Sequence, residues 1–180
     1  MLILDEKNFK TTNWSGGKTT ELFISPRDSS FADRNFDFRL STATVEIETS
    51  DFTPFEGTQR HLMILSGEMH LEHEGHHSIQ LKKGEQDRFF GDWQTRSTGT
   101  CVDFNLMLRN GEGSLESIFL EKGESTTLST TNDFLALYLV EGACEIGSGI
   151  LQSNQLIIVN DQTEIIAKED AFLVRVEVKP

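Results

Sequence analysis

The sequence predicts an all-β protein built as a sandwich or barrel, because it combines alternating strands, frequent turns and a weak internal repeat. Phe36, Phe38 and Leu40 alternate with polar residues and so share one face of a predicted strand. Residues 61–65 form a continuous apolar strand that ends at the turn around Gly67. Helical periodicity is absent, and 14 glycines and three prolines interrupt the chain at short intervals.

The internal repeat relates residues 62–67 to residues 137–142, which lie 75 positions further along and also form an apolar run ending in glycine. Two copies of one strand–turn–strand unit predict a duplicated β-barrel. The first barrel is expected at residues 1–109 and the second, shorter one at 110–180. Coincidence is the alternative, since an apolar strand followed by a glycine turn is common in all-β proteins.

Composition limits the classes of partner and compartment. The formal net charge of −13 repels nucleic acids and anionic membranes, and no basic stretch with interleaved aromatic residues occurs. The acidic N-terminus does not resemble a signal peptide, and the longest apolar run, residues 134–140, is too short to cross a bilayer. Two cysteines are too few for a disulfide framework. We therefore expect a cytoplasmic protein with reduced, buried thiols that binds neither nucleic acid nor membrane.

Residues 14–21, 38–43, 52–60 and 103–107 together resemble, in sequence and in order, the HutD/Ves family of the cupin superfamily. The resemblance implies the double-stranded β-helix of cupins, the RmlC-like jelly roll, arranged as two stacked barrels. It also implies an accessory role in histidine utilisation, with formylglutamate or a related acid as the ligand. The chain departs from many relatives after Trp14, where the glycine turn follows two residues sooner and an Asn side chain is missing.

The metal-binding pattern of cupins is not met. Counting back from Gly67 places one ligand at Arg60 and two others at Pro54 and Glu56, or at Thr53 and Phe55 with the longer spacer. Counting forward from Gly84 places the last one at Thr95. None of these positions holds a histidine, and the permanent cation of Arg60 would repel a metal ion. The equivalent positions of the second repeat also lack ligands. The sequence therefore predicts no metal and no cofactor in either barrel.

Four other histidines, His70, His73, His76 and His77, lie near the tip of a predicted hairpin. They could form a metal site, since histidine-rich tracts bind metals, or a polar turn exposed to solvent. Their spacing does not close a defined coordination geometry, which favours the exposed turn.

Arg60 and Arg39 are the strongest candidates for ligand contacts. An arginine inside a barrel needs a partner, because burying a bare charge costs several kcal/mol as an order of magnitude. That partner is either a structural carboxylate or the carboxylate of a ligand, which a guanidinium binds with two parallel donors. Ser41 leaves room beside Arg39, and Asp103 and Asn105 form the polar face of another strand.

The region after the glycine turn completes the predicted pocket. Gly16 and Gly17 allow a tight turn over its mouth, whereas the context of a phosphate-binding loop is absent. The predicted ligand-binding residues are Arg60, Arg39, Ser41, Asp103, Asn105, Glu21, Thr19 and Trp14.

These residues predict a protein that binds a small anionic or polar metabolite without catalysing its conversion, and no catalytic residue is assigned. A metal-independent enzyme, an isomerase or hydrolase of an amino-acid derivative, is the alternative, with His61 and Glu21 as an acid–base pair. A purely structural interaction protein is the third hypothesis. The formation of a homodimer is left open. Two arginines in a pocket favour binding, a histidine–carboxylate pair pointing at the pocket favours the enzyme, and a filled barrel favours the structural role.

Overall fold

A computed structural model describes residues 1–179 of the chain. Over this range the chain forms β-strands joined by turns and bends, and no helix is present that is long and apolar enough to cross a membrane. The all-β prediction is confirmed. The strands are β1 (Leu2–Leu4), β2 (Lys10–Trp14), β3 (Gly17–Ser25), β4 (Phe38–Val45), β5 (Thr49–Asp51), β6 (Gln59–His73), β7 (Ser78–Lys82), β8 (Gln86–Phe90), β9 (Thr95–Thr98), β10 (Cys101–Leu108), β11 (Glu112–Leu120), β12 (Ser125–Leu128), β13 (Phe134–Glu141), β14 (Ala143–Ile146), β15 (Gly149–Gln152), β16 (Gln155–Ile158), β17 (Thr163–Ala167) and β18 (Ala171–Lys179).

Contacts divide the chain into two compact units. The first unit is Lys10–Gly111, and the second unit combines Met1–Phe9 with residues 112–179. The predicted assignment of residues 1–9 to the first barrel is therefore wrong. The physical reason is that β1 pairs antiparallel with β16, an interaction between distant parts of the sequence that no local pattern announces.

The two units use the same scheme of strand pairing. In the first unit, β10 pairs with β4 and with the first half of β6, which also pairs with β8. The second half of β6 pairs with β7 and β9, and β9 pairs with β5. In the second unit, β18 pairs with β11 and β13, and β13 pairs with β16. There β14 pairs with β15 and β17, and β17 pairs with β12.

The glycines that end the two repeats occupy matching positions in this scheme. The predicted turn at Gly67 is wrong, because β6 continues through this glycine and only shifts its register against β10 there. Gly67 and Gly142 have φ values of 75° and 89°, a region that favours glycine. A side chain at either position would collide with the backbone at the start of the partner strand, at Thr100 in one unit and Asp170 in the other. Each unit also shifts register next to this glycine, so the repeat seen in the sequence corresponds to a repeated backbone feature.

The interiors of the two units differ in polarity. The second unit packs a continuous apolar cluster that includes Leu135, Leu139 and Leu173. Within residues 1–179, the buried polar and charged residues all belong to the first unit. They are Arg39, Ser41, Thr58, His61, His73, Thr95, Ser97, Asp103 and Asn105. Because buried polar groups are costly unless they are paired, this distribution places the candidate site in the first unit.

We predict that Leu65→Ala and Leu139→Ala each lower the free energy of unfolding by about 2–5 kcal/mol, because both leucines are buried and their truncation leaves a cavity. Urea denaturation measures the loss. Ile150→Ala is the control, since Ile150 is 46% exposed and its truncation should change the stability by about 0.5 kcal/mol or less. A loss at Leu139 no larger than that of the control would contradict its place in the core.

Candidate ligand cavity

The first unit contains a cavity of about 650 Å³, a volume within the range of small-molecule sites. Its wall comes mainly from β2, β3, β4, β6, β9 and β10, together with the loop after β3 and the segment after β5. All eight residues predicted to bind a ligand line this one cavity, and their role as ligand contacts stays a prediction. They are Trp14, Thr19, Glu21, Arg39, Ser41, Arg60, Asp103 and Asn105.

Strand register explains why residues so distant in sequence meet here. Ser41 of β4 lies opposite Glu21 on one side and Asn105 on the other, which forms a polar row across three neighbouring strands. Two positions along, the next row joins Thr19 to Asp103 across β4. Alternate residues of a strand share one face, so these rows point into the same space.

Arg39 is held by partners of the protein itself. Its Nε donates to Glu21 Oε2 at 2.7 Å, and its Nη1 donates to Ser41 Oγ at 3.2 Å. The guanidinium carbon also lies 4.3 Å from the centre of the Phe31 ring, a favourable cation–π distance. Of the two partners considered for this arginine, the structure contains the structural carboxylate, Glu21.

Arg60 is less completely paired. Its Nη2 donates to Asn105 Oδ1 at 3.1 Å, and the Nδ2 of Asn105 donates in turn to Asp103 Oδ1. The carboxylate is therefore linked to Arg60 through the Asn105 amide. The Nε of Arg60 is buried and has no hydrogen-bond partner among residues 1–179. A buried donor without a partner costs about 1–3 kcal/mol, so a ligand acceptor would be favoured here.

Burial shifts the pKa values of both charged groups in this relay. The pKa of Asp103 is raised to about 7, since burial outweighs the opposing effects of Arg60 and of the hydrogen bond from Asn105. The pKa of Arg60 is lowered to about 10 by burial, against the effect of Asp103, and the charge of Arg39 lowers it further. Near neutral pH, Arg60 is therefore charged while Asp103 is close to half protonation.

An aromatic surface around the arginines was missed by sequence reasoning. The guanidinium carbon of Arg60 lies 4.8 Å from the Phe52 ring centre and 5.3 Å from that of Phe89. Phe31, in the loop after β3, stacks on Phe55 with ring centres 5.1 Å apart. Abundant phenylalanine predicted only a bulky core, because no sequence period links a loop phenylalanine to an arginine on a strand.

The proposed acid–base pair is not assembled. His61 is buried and does not line the cavity, and its pKa is lowered to about 4 by burial and by the charge of Arg88. In the described part of the chain, no histidine lines the cavity beside Glu21.

Cys101 and Cys144 are free and buried as expected, and burial raises both pKa values, that of Cys101 to about 12. Neither thiol is an activated nucleophile.

The histidine hairpin differs in part from its prediction as an exposed turn. His76 and His77 are exposed, but His73 is buried. Its ring contacts Thr95 and Asp87, residues of β9 and β8 that sequence spacing did not associate with the hairpin. This cluster lies outside the lining of the cavity.

A family model described as HutD matches residues 6–177. No curated protein matches the sequence. A conserved protein of unknown function from Pseudomonas aeruginosa PAO1, PA5104, is 25% identical, with a TM-score of 0.84 over 99% of this chain and 98% of that one.

Two further structures extend the likeness. HutD from Pseudomonas fluorescens SBW25, described for a formate condition, is 19% identical, with a TM-score of 0.76 over 99% of each chain. The bacterial pirin YhhW from Escherichia coli, in complex with nickel(II), is 11% identical, with a TM-score of 0.72 over 99% of each chain. The resemblance stated from the sequence is confirmed at the level of the family, and the all-β fold is shared with pirin.

The raised pKa of Asp103 predicts a pH dependence of stability. Its folded pKa of about 7 lies above its ordinary value of 3.8, so the folded state binds a proton that the unfolded state has lost. Stability should therefore fall as pH rises from about 4 to 7, by roughly 1.4 kcal/mol per pH unit for this group. Asp103→Asn should remove this component. The measurement is the difference in unfolding free energy between the two proteins at several pH values, and a constant difference would contradict the shifted pKa.

Proposed function

Since the chain belongs to the HutD family, we propose that its cavity binds a small acidic metabolite and that the protein serves as an accessory or regulatory factor of histidine utilisation. The observation that carries the proposal is the incompletely paired guanidinium of Arg60 on the cavity wall. A carboxylate is the natural acceptor for such a group, because guanidinium and carboxylate match in shape and charge.

The rest of the wall supports a ligand with both a carboxylate and a second polar group. Arg60 supplies a buried cation, while the row of Glu21, Ser41 and Asn105 supplies acceptors and donors for an amide or an amine. Phe31 and Phe52 add apolar contact for a short carbon chain. A compound such as N-formylglutamate combines these features, and formate is the smallest probe of the carboxylate subsite.

Catalysis of a metal-independent reaction is the second candidate, and Asp103 is the observation that favours it. A carboxyl group with a pKa of about 7 inside a cavity can exchange a proton near neutral pH. No histidine accompanies it on the described wall, so binding without turnover is the better supported function. Incubation of the protein with N-formylglutamate, followed by proton NMR, distinguishes the two, since turnover would release free formate.

We predict that N-formyl-L-glutamate, L-glutamate or formate raises the melting temperature of the protein in a concentration-dependent manner. A ligand that binds only the folded state stabilises it by mass action. The matched control is glutaramide, which has a similar carbon chain and no carboxylate. An equal shift with the diamide, or no shift with any acid, would contradict a carboxylate site.

We predict that Arg60→Lys weakens binding of the strongest acid in that screen by about tenfold or more, because lysine keeps the charge but lacks the two-pronged donor. Isothermal titration calorimetry measures the affinity. Arg88→Lys is the control, since Arg88 is exposed and does not line the cavity. Unchanged affinity in Arg60→Lys with full stability would show that the acid binds elsewhere.

Binding should also depend on pH. Below pH 7 Asp103 is largely protonated and does not compete for the positive field of Arg60, whereas above pH 7 its charge opposes a bound anion. The association constant for a carboxylate should therefore fall by up to about tenfold per pH unit above 7. Asp103→Asn should bind with a nearly constant affinity over the same range. A wild-type affinity that does not change between pH 6 and pH 9 would contradict this coupling.

A further inference from the structure

A second polar cluster lies in the first unit, apart from the lining of the cavity. It comprises His73 at the end of β6, His77 in the following turn and Asp87 in β8. The turn is fixed by its backbone, because the amide of His76 donates to the carbonyl of His73 and the amide of His73 donates to the carbonyl of His77. The two imidazoles are thereby brought to one side of the hairpin, with their ring centres 4.6 Å apart.

The three side chains converge on one point. His73 Nε2 lies 2.8 Å from Asp87 Oδ2, and His77 Nε2 lies 2.9 Å from the same oxygen and 3.1 Å from Oδ1. One ligand atom from each residue lies within 4.8 Å of the other two. Bonds of about 2.0–2.2 Å to a tetrahedral ion would place such atoms about 3.3 Å apart, so small side-chain movements suffice to enclose an ion.

We propose that His73, His77 and Asp87 form a binding site for a divalent late transition-metal ion of the zinc and nickel class. Two imidazole nitrogens and one carboxylate oxygen are the donors that such ions prefer, whereas magnesium and calcium prefer oxygen alone. The proposal concerns the hairpin and leaves the cavity without a metal. It differs from the expectation of a metal-free chain, because the carboxylate of Asp87 reaches the two histidines only through tertiary contacts.

The residue behind His73 supports its role as a ligand. His73 Nδ1 lies 2.7 Å from Thr95 Oγ1, and the His73 side chain is fully buried. A hydroxyl that accepts a hydrogen bond from Nδ1 fixes the tautomer in which Nε2 presents its lone pair to the ion. In the structure Nε2 faces Asp87 Oδ2, so ion binding requires the imidazole proton to move from Nε2 to Nδ1 and the threonine hydroxyl to rotate.

The surroundings leave an open coordination position. The side chain of His77 is 40% exposed, so water can reach the ion from that side, while Asp87 is 10% exposed and anchors the site. Trp93 lies beside the cluster, with its ring centre 5.6 Å from that of His73 and 5.9 Å from that of His77, both in edge-on contacts. A site with three protein ligands and an open position binds water or a small anion as its fourth ligand.

The test is a calorimetric titration of tag-free, chelator-treated protein with zinc chloride. The proposal expects one ion per chain, with affinity lowered about tenfold or more in His77→Gln and Asp87→Asn. His70→Gln is the matched control, since His70 lies on the same hairpin outside the cluster. The zinc affinity of this variant should equal that of the wild-type protein. Thr95→Val keeps the shape of the threonine and removes the hydroxyl, so its affinity should also fall.

A second readout locates the ion. Nickel chloride should quench the fluorescence of Trp93 with saturation, and the quench should disappear in Trp93→Phe and in His77→Gln. Thermal unfolding without metal confirms that each variant is folded. Equal losses in His70→Gln and His77→Gln would indicate loose binding by an exposed histidine tract and overturn the proposal. Zinc affinity unaffected by His77→Gln, or no binding of zinc by the wild-type protein, would overturn it as well.

Discussion

The arrangement of the first unit depends on the burial of positive charge. Two guanidinium groups line its interior, and each requires compensation that a purely apolar core cannot supply. Glu21 compensates the charge of Arg39 through a direct contact. Asp103 compensates the charge of Arg60 indirectly, through the amide of Asn105. The polar rows across β3, β4 and β10, and the aromatic rings over each arginine, follow from this requirement. A cavity persists because charged groups and small side chains do not close on one another as branched apolar residues do.

Local patterns were sufficient to predict the strands and the polar wall. Alternation along β4 and β10 correctly placed Arg39 with Ser41, and Asp103 with Asn105, since residues two apart must share a face. These features depend on neighbours in the chain, which are the relations that a single sequence displays most directly.

The features that sequence did not reveal depend on contacts between distant segments. The bulge between Val102 and Asp103 sets which residues of β6 face β10, and nothing in the local pattern fixes it. The meeting of Asp87 with His73 follows from the separate pairing of β8 and β9 with the long strand β6. The pairing of β1 with β16 joins residues 2–4 to residues 156–158, which are far apart in the sequence. In each case the information lies in tertiary register.

The matching registers of the two units allow equivalent positions to be compared residue by residue. The pair Arg60–Met107 of the first unit corresponds to Leu135–Glu177 of the second, and Ile64–Asp103 corresponds to Leu139–Leu173. At two equivalent positions the first unit thus carries charged residues, Arg60 and Asp103, where the second unit carries leucines. The two charged residues line the cavity of the first unit, whereas the two leucines pack in the apolar core of the second unit. The second unit therefore shows how the same scheme of strand pairing packs when both positions are apolar.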